Sequence, residues 1–166
     1  MATRKIRTRG DYSSFLNDMN HRMKTMSELI KTSSVQEIYE CLKDVLADSV
    51  PLAPIEEGAL REAGHVAVNN VRYARGNVDG SISETASYDP TPDATQVDFA
   101  IGYTVEGGGT GREGDVNTYA VVQHEHVEFD HPRGGQAKFL EMPLREHRNT
   151  WKKRVADRIK NDLKGV

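Results

Sequence analysis

The chain has 166 residues, 37% apolar and 28% charged, with a formal net charge of −3. That length supports one domain with a single core and excludes two independent ones, while the composition excludes neither folding nor most partners. The one cysteine, Cys41, rules out an intramolecular disulfide, and no stretch at the N-terminus has the apolar core of a signal peptide or membrane span, so a reducing compartment such as a bacterial cytoplasm is expected.

In chain order, residues 1–10 come first as a flexible basic arm: Arg4, Lys5, Arg7 and Arg9 give residues 1–9 a charge of +4 with no acid. Residues 145–166 carry +5, which leaves −12 for the body between them. Basic ends on an acidic body suit nucleic acid or the acidic body of a neighbouring subunit equally well. The four arm residues are therefore candidate assembly contacts.

Residues 11–166 are expected to form one domain. Phe15, Leu16, Met19, Met23, Met26 and Ile30 recur at helical spacing, with Asp11 or Ser13 as cap, and predict a first helix whose stripe belongs in the core. Ser34 and Glu37 have capping-box spacing ahead of Val35, Ile38, Tyr39, Leu42, Val45 and Leu46, which predicts a second helix ending near Asp48. Cys41 lies within that apolar pattern and is assigned to packing. Pro51 and Pro54 then predict a rigid loop.

Beyond Gly58 the period approaches two. Val66 and Val68 alternate, and Val97, Phe99, Ile101, Tyr103 and Val105 stand opposite small or polar residues, as in a half-buried antiparallel strand. Gly76–Asp93 and the glycine-rich Glu106–Asp115 predict long loops or hairpin tips. Tyr119–Phe129 predicts another strand, residues 130–135 a turn, and Leu140, Leu144, Trp151, Val155, Ile159 and Leu163 a closing helix with Pro143 in its first turn. The expected class is α+β: a small antiparallel sheet with long loops, two N-terminal helices and a C-terminal helix packed on it.

The strongest enzyme-like feature is His124-Glu125-His126 with Glu128, Asp130 and His131 close behind. On a strand, His124, His126 and Glu128 would share one face and could bind Zn or Fe(II), so a metal-dependent enzyme is one alternative; the plainer reading is a solvated, hydrogen-bonding strand face. The loop at Gly107–Gly111 lacks the Gly-Lys-Ser/Thr of a phosphate loop, and no Gly-x-Ser-x-Gly elbow is present. A second alternative is a nucleic-acid-binding module using the basic termini, with Arg148, Lys152, Lys153, Arg154 and Arg158 on the last helix.

Two stretches carry a resemblance. Ala53-Pro54-Ile55-Glu56-Glu57-Gly58-Ala59-Leu60-Arg61 resembles an Ala-Pro-Val-Asp-Thr-Gly-x-Leu-Arg turn, with Pro54, Gly58, Leu60 and Arg61 matching and Glu56-Glu57 in place of Asp-Thr. Tyr119 to Glu125, ending Gln123-His124-Glu125, followed by Gly135-Gln136-Ala137-Lys138-Phe139-Leu140, is similar to the strand and Gly-Gln-Ala-Lys-Phe-Leu segment of the same family. That family is the neck and tail-completion (minor capsid) proteins of long-tailed double-stranded DNA bacteriophages.

The resemblance implies a structural virion protein without catalysis or cofactor. It implies a homo-oligomeric ring, expected to be hexameric, at the head–tail junction, assembled in the host cytoplasm. Its neighbours would be the head-completion or connector protein and the tail terminator; no membrane is involved, and DNA passes through without sequence-specific binding.

Overall fold

The computed structural model describes residues 9–55, 58–90, 96–104 and 116–165. Arg4, Lys5 and Arg7, the Glu56-Glu57 pair and the Glu106–Asp115 tip lie outside the described residues, and Arg9 begins the first helix. The class is α+β: α1 (Arg9–Leu52), α2 (Ala59–Ala63), β1 (Gly64–Val68), β2 (Val71–Gly76), β3 (Ile82–Glu84), β4 (Phe99–Tyr103), α3 (Val116–Glu125) and α4 (Glu141–Leu163). The sheet is antiparallel throughout, in the order β3-β2-β1-β4.

The two expected N-terminal helices are one. The Lys31-Thr32-Ser33-Ser34 stretch does not interrupt α1, because its hydroxyls bond within the helix or across it. Thr32 donates to the Glu28 carbonyl and Ser34 to the Ile30 carbonyl, while Ser33 donates to Asp162 of α4 at 2.7 Å. Ser34 is thus no N-cap; a hydroxyl turned back on the preceding turn leaves the ladder unbroken. The helix also runs past Asp48 through Pro51 and stops at Leu52.

One face of the C-terminal half of α1 packs on the sheet. Tyr39, Leu42, Leu46 and Val50 are buried against Val66, Val68 and Ala74, with Val97, Phe99, Ile101 and Trp151 closing the cluster. Cys41, on the same half of α1, is buried, and desolvation raises its thiol pKa, as suits a packing residue. Asn69 and Asn70, both at positive φ, form the two-residue turn that joins β1 to β2. The loop expected from Gly76 contains β3, which turns back on β2 through Asn77–Ser81.

On a second face α1 receives α4 as an antiparallel partner. Arg154 bonds Glu37 at 2.8 Å and also Asp44, Arg158 pairs with Glu37 at 3.6 Å, and His147 meets Asp48 at 2.6 Å. Two basic residues of the last helix, Arg154 and Arg158, are therefore matched to acids of the chain's own first helix. As expected, Pro143 sits in the first turn of α4, where it is buried and its missing N–H costs no helical bond.

The expected strand at Tyr119–Phe129 is instead helix α3, continued by a turn. The β-branched pair Val121-Val122 favours a strand locally, but Ala120 and His124, one helical turn apart, both reach the cluster around Phe139 and Tyr103. The helix that satisfies this docking leaves Val121 exposed.

The N-terminal stripe also departs from expectation. Phe15, Met19, Met23, Met26 and Ile30 are 52%, 40%, 62%, 41% and 39% exposed, so they are surface residues of the chain and not core.

Candidate functional site: a junction of two motifs

The two stretches that carry the family resemblance, about eighty residues apart in sequence, meet in space. The Gln136 amide donates to the Leu52 carbonyl at 2.8 Å, and the Ile55 amide donates to the Gly134 carbonyl at 3.3 Å. Gly135 lies at φ +100°, where a Cβ would stand 2.4 Å from Pro54 Cα; only glycine permits this backbone approach. Pro54 is fully buried at the contact.

The first motif closes the end of α1. Gly58 has φ +84°, and a Cβ there would meet Val78 at 2.7 Å, so the turn needs glycine for both conformation and space. It feeds Leu60 into the core and Arg61 beneath the helix end. The Arg61 guanidinium, 7% exposed at the residue level, donates to the carbonyls of Ala53 (3.1 Å), Pro51 (2.8 Å) and Val78 (3.3 Å). Two of these are carbonyls at the C-terminus of α1, where a cation is favoured and where acceptors lack intrahelical donors. Arg61 therefore ties the end of α1 to the β2–β3 turn, a role its motif position alone did not reveal.

The second motif forms the other wall. Phe139 is 1% exposed and meets Tyr103 and His124 edge-on, at 4.8 and 5.0 Å between ring centres. Tyr103 hydroxyl and Ser49 hydroxyl lie 2.6 Å apart, and burial pushes the Tyr103 pKa upward. Ala120 and Leu140 fill the space beside them, and Tyr119 packs on the same cluster. Gln136 directs its side-chain amide to Met142 Sδ at 3.0 Å. Lys138, at φ +56°, turns the chain into α4, and its amide donates to the His124 carbonyl at 2.9 Å. Ala137, in the same turn, is half-buried. Gln123 Oε1 is buried with no hydrogen-bond partner among the described residues.

His124 is committed on both ring nitrogens. Nε2 accepts the Glu141 backbone N–H at 3.3 Å, which places the proton of the neutral ring on Nδ1, and Nδ1–H donates to Glu125 at 2.8 Å. Glu125 also accepts from Lys138, and these two hydrogen bonds, Lys138's first, hold its carboxyl below the usual range. His126 lies past the end of α3, stacked on Phe129 at 4.9 Å and bonded to Glu128. The strand face that would have gathered His124, His126 and Glu128 is thus not formed, and among the described residues no group of three His, Cys, Asp or Glu could hold a metal.

The arrangement ties the end of α1, the sheet edge at β4, α3 and the start of α4 together. Val121, Val127, Phe129 and Met142, in or next to these segments, are exposed. Between α3 and the Phe139 segment lies a depression of about 180 Å³, lined by Tyr103, Ala120, Val121, His124, Glu125, Phe139 and Leu140. No helix of the described residues is long and apolar enough to cross a membrane. Compared with known proteins, the chain matches no family model, no curated protein and no solved structure.

Proposed function

We propose that this chain is a structural virion protein of a long-tailed bacteriophage, a homo-oligomeric ring component of the neck that joins the head connector to the tail. The observation that supports this reading is the junction itself: Ala53–Arg61 and Tyr119–Leu140, each resembling neck proteins on its own, interlock through Gly135 on Pro54 and Gln136 on Leu52. A ring subunit carries load between neighbours and needs a stiff body with apolar surface left over for them. The junction supplies the stiffness, and Val121, Val127, Phe129 and Met142 supply surface. In this reading the ring is hexameric, the connector and tail terminator are its neighbours, and DNA passes through it without base-specific contact.

Negative-stain microscopy of the purified protein, beside immunogold labelling of intact virions, tests the proposal. Rings in the first and label at the head–tail junction in the second are expected. Label on the capsid shell or tail tip, or none on virions, overturns it. Deleting residues 2–8 tests the basic arm: incorporation should fall in a salt-dependent way while retention on duplex DNA is unchanged.

A further inference from the structure

The cations of α4 fall into two sets on opposite sides of the helix. Arg154 and Arg158 face α1 and are held by Glu37, Asp44 and Asp162. Arg145, Arg148, Lys152, Lys153 and Lys160 are exposed, and with Asn149 and Ala156 they lie within one arc of about 140° on the other side. From Arg145 to Lys160 this row is about 22 Å long. The two acids between its ends, Glu146 and Asp157, stand together along one edge of the arc, and Glu141 before it is taken by Lys138 at 3.3 Å and Arg145 at 3.2 Å. Among the described residues Arg148, Lys152, Lys153 and Lys160 have no acidic partner. On α1, by contrast, Arg22, Lys24 and Lys43 meet Asp18, Glu28 and Glu40.

We propose that this outer face of α4 binds the phosphate backbone of duplex DNA without reading its sequence. The chain carries a net charge of −3, so attraction for a polyanion has to come from a local concentration of cations such as this one. A protein partner fits the face poorly. Between Arg145 and Lys160 no exposed apolar side chain is larger than that of Ala156, whereas a protein interface is built around a desolvated apolar or aromatic anchor. A single strand fits poorly as well, because Trp151 is the one aromatic of α4 and packs on the core, leaving no ring on which bases could stack. What the face does present is a straight row of long, mobile cations. The phosphates of a duplex, about one charge per 1.7 Å of axis, accept such a row in any register.

The inference concerns α4 alone and does not depend on the ring reading; within that reading it names the side of the subunit that is turned to the DNA. It also separates the two basic ends of the chain, giving the duplex to α4 and leaving the arm to protein contacts. Each cation that meets a phosphate releases a condensed counterion, so the steepness with which affinity falls with salt counts the contacts.

Fluorescence anisotropy of a short labelled duplex of arbitrary sequence, titrated with the full-length protein from about 50 to 200 mM salt, tests it. The wild type is compared with Arg148→Gln/Lys152→Gln and with Lys153→Gln/Lys160→Gln. The control, Arg22→Gln/Lys24→Gln, removes the same charge from cations already paired on α1. Each α4 variant should bind about tenfold more weakly at the lowest salt and lose about 1.8 from the slope of log affinity against log salt. Both should melt as the wild type does, since the altered side chains are exposed. The control should keep the wild-type slope. A wild type that does not bind duplex at about 50 mM salt, α4 variants that bind as it does, or a control that loses as much as they do overturns the proposal. So does tighter binding of the single strand, or displacement of the duplex by polyglutamate as readily as by unlabelled duplex.

Discussion

The two halves of α1 have the same secondary structure and comparable apolar content, yet they meet opposite environments. Tyr39, Cys41, Leu42, Val45, Leu46 and Val50 are between 0% and 6% exposed; from Phe15 to Ile30 the stripe's exposed members range from 39% to 62%. What separates them is the reach of the rest of the chain. Sheet and α4 together cover the helix only to about Ser33, because α4 has 23 residues and α1 has 44. A helix stripe is thus a demand for a partner, and a single chain need not supply one.

That contrast can be broken most forcefully by truncating one residue in each half. Leu46→Ala, at a fully buried position, is expected to cost about 2–5 kcal/mol, through lost burial and the cavity left behind. Met23→Ala should shift the monomer by no more than about 0.5 kcal/mol. Urea unfolding of both variants, at protein concentrations low enough to keep the chain monomeric, measures the difference. Equal losses would mean that the N-terminal half is covered within its own subunit.

A smaller effect is expected where the covered half is anchored. Arg61→Met keeps much of the bulk but leaves the Ala53 and Pro51 carbonyls without their donor, at an expected cost of about 1–3 kcal/mol. Gly135→Ala places a Cβ within 2.4 Å of Pro54 Cα and should destabilise by a similar amount, about 1–3 kcal/mol. Gly102→Ala, whose Cβ would meet nothing within 4 Å, is the matched control and should be near neutral. Hydrogen exchange should show faster opening at the end of α1 in the first two variants and unchanged protection in residues 13–30.

The smallest effect lies at the boundary between the halves. Asp162 accepts hydrogen bonds from Ser33 and from Arg158, and these, Ser33's first, hold its carboxyl below the usual aspartate range. A pKa lower in the folded than in the unfolded chain contributes stability that is complete above about pH 4 and is lost as pH falls through the depressed folded value. Thermal melts of the wild type and Asp162→Asn should therefore differ at neutral pH and converge in acid. A difference that persists in acid would place the interaction outside this carboxylate's titration.

Several elements were legible because their signals were local and redundant. Alternation marked β4 from Phe99 to Tyr103, four-residue spacing with Pro143 in the first turn marked α4, and the interruption near Pro54 marked the change from helix to sheet. The Asn69-Asn70 turn between β1 and β2 carried a hairpin signal too, in two adjacent residues tolerant of positive φ, though alternation alone did not expose it. Local signals failed where a distant partner decided. Thr32, Ser33 and Ser34 are as suited to a cap as to a helix interior, and the bonds to Glu28, Ile30 and Asp162 choose the interior.

By itself, then, the sequence determined the α+β class and the stripes on α1 and α4, since periodicity is a property of neighbouring residues. Tertiary structure alone decided that Tyr119–Glu125 coils as α3, because Ala120 and His124 had to reach Tyr103 and Phe139 from one turn apart. It alone spent both nitrogens of His124 on Glu125 and the Glu141 amide, and aimed Arg61 at the end of α1. It also decided which half of α1 is covered: a stripe specifies that apolar area must be buried, and only the relative lengths and placement of α1 and α4 specify where the chain runs out of surface to bury it.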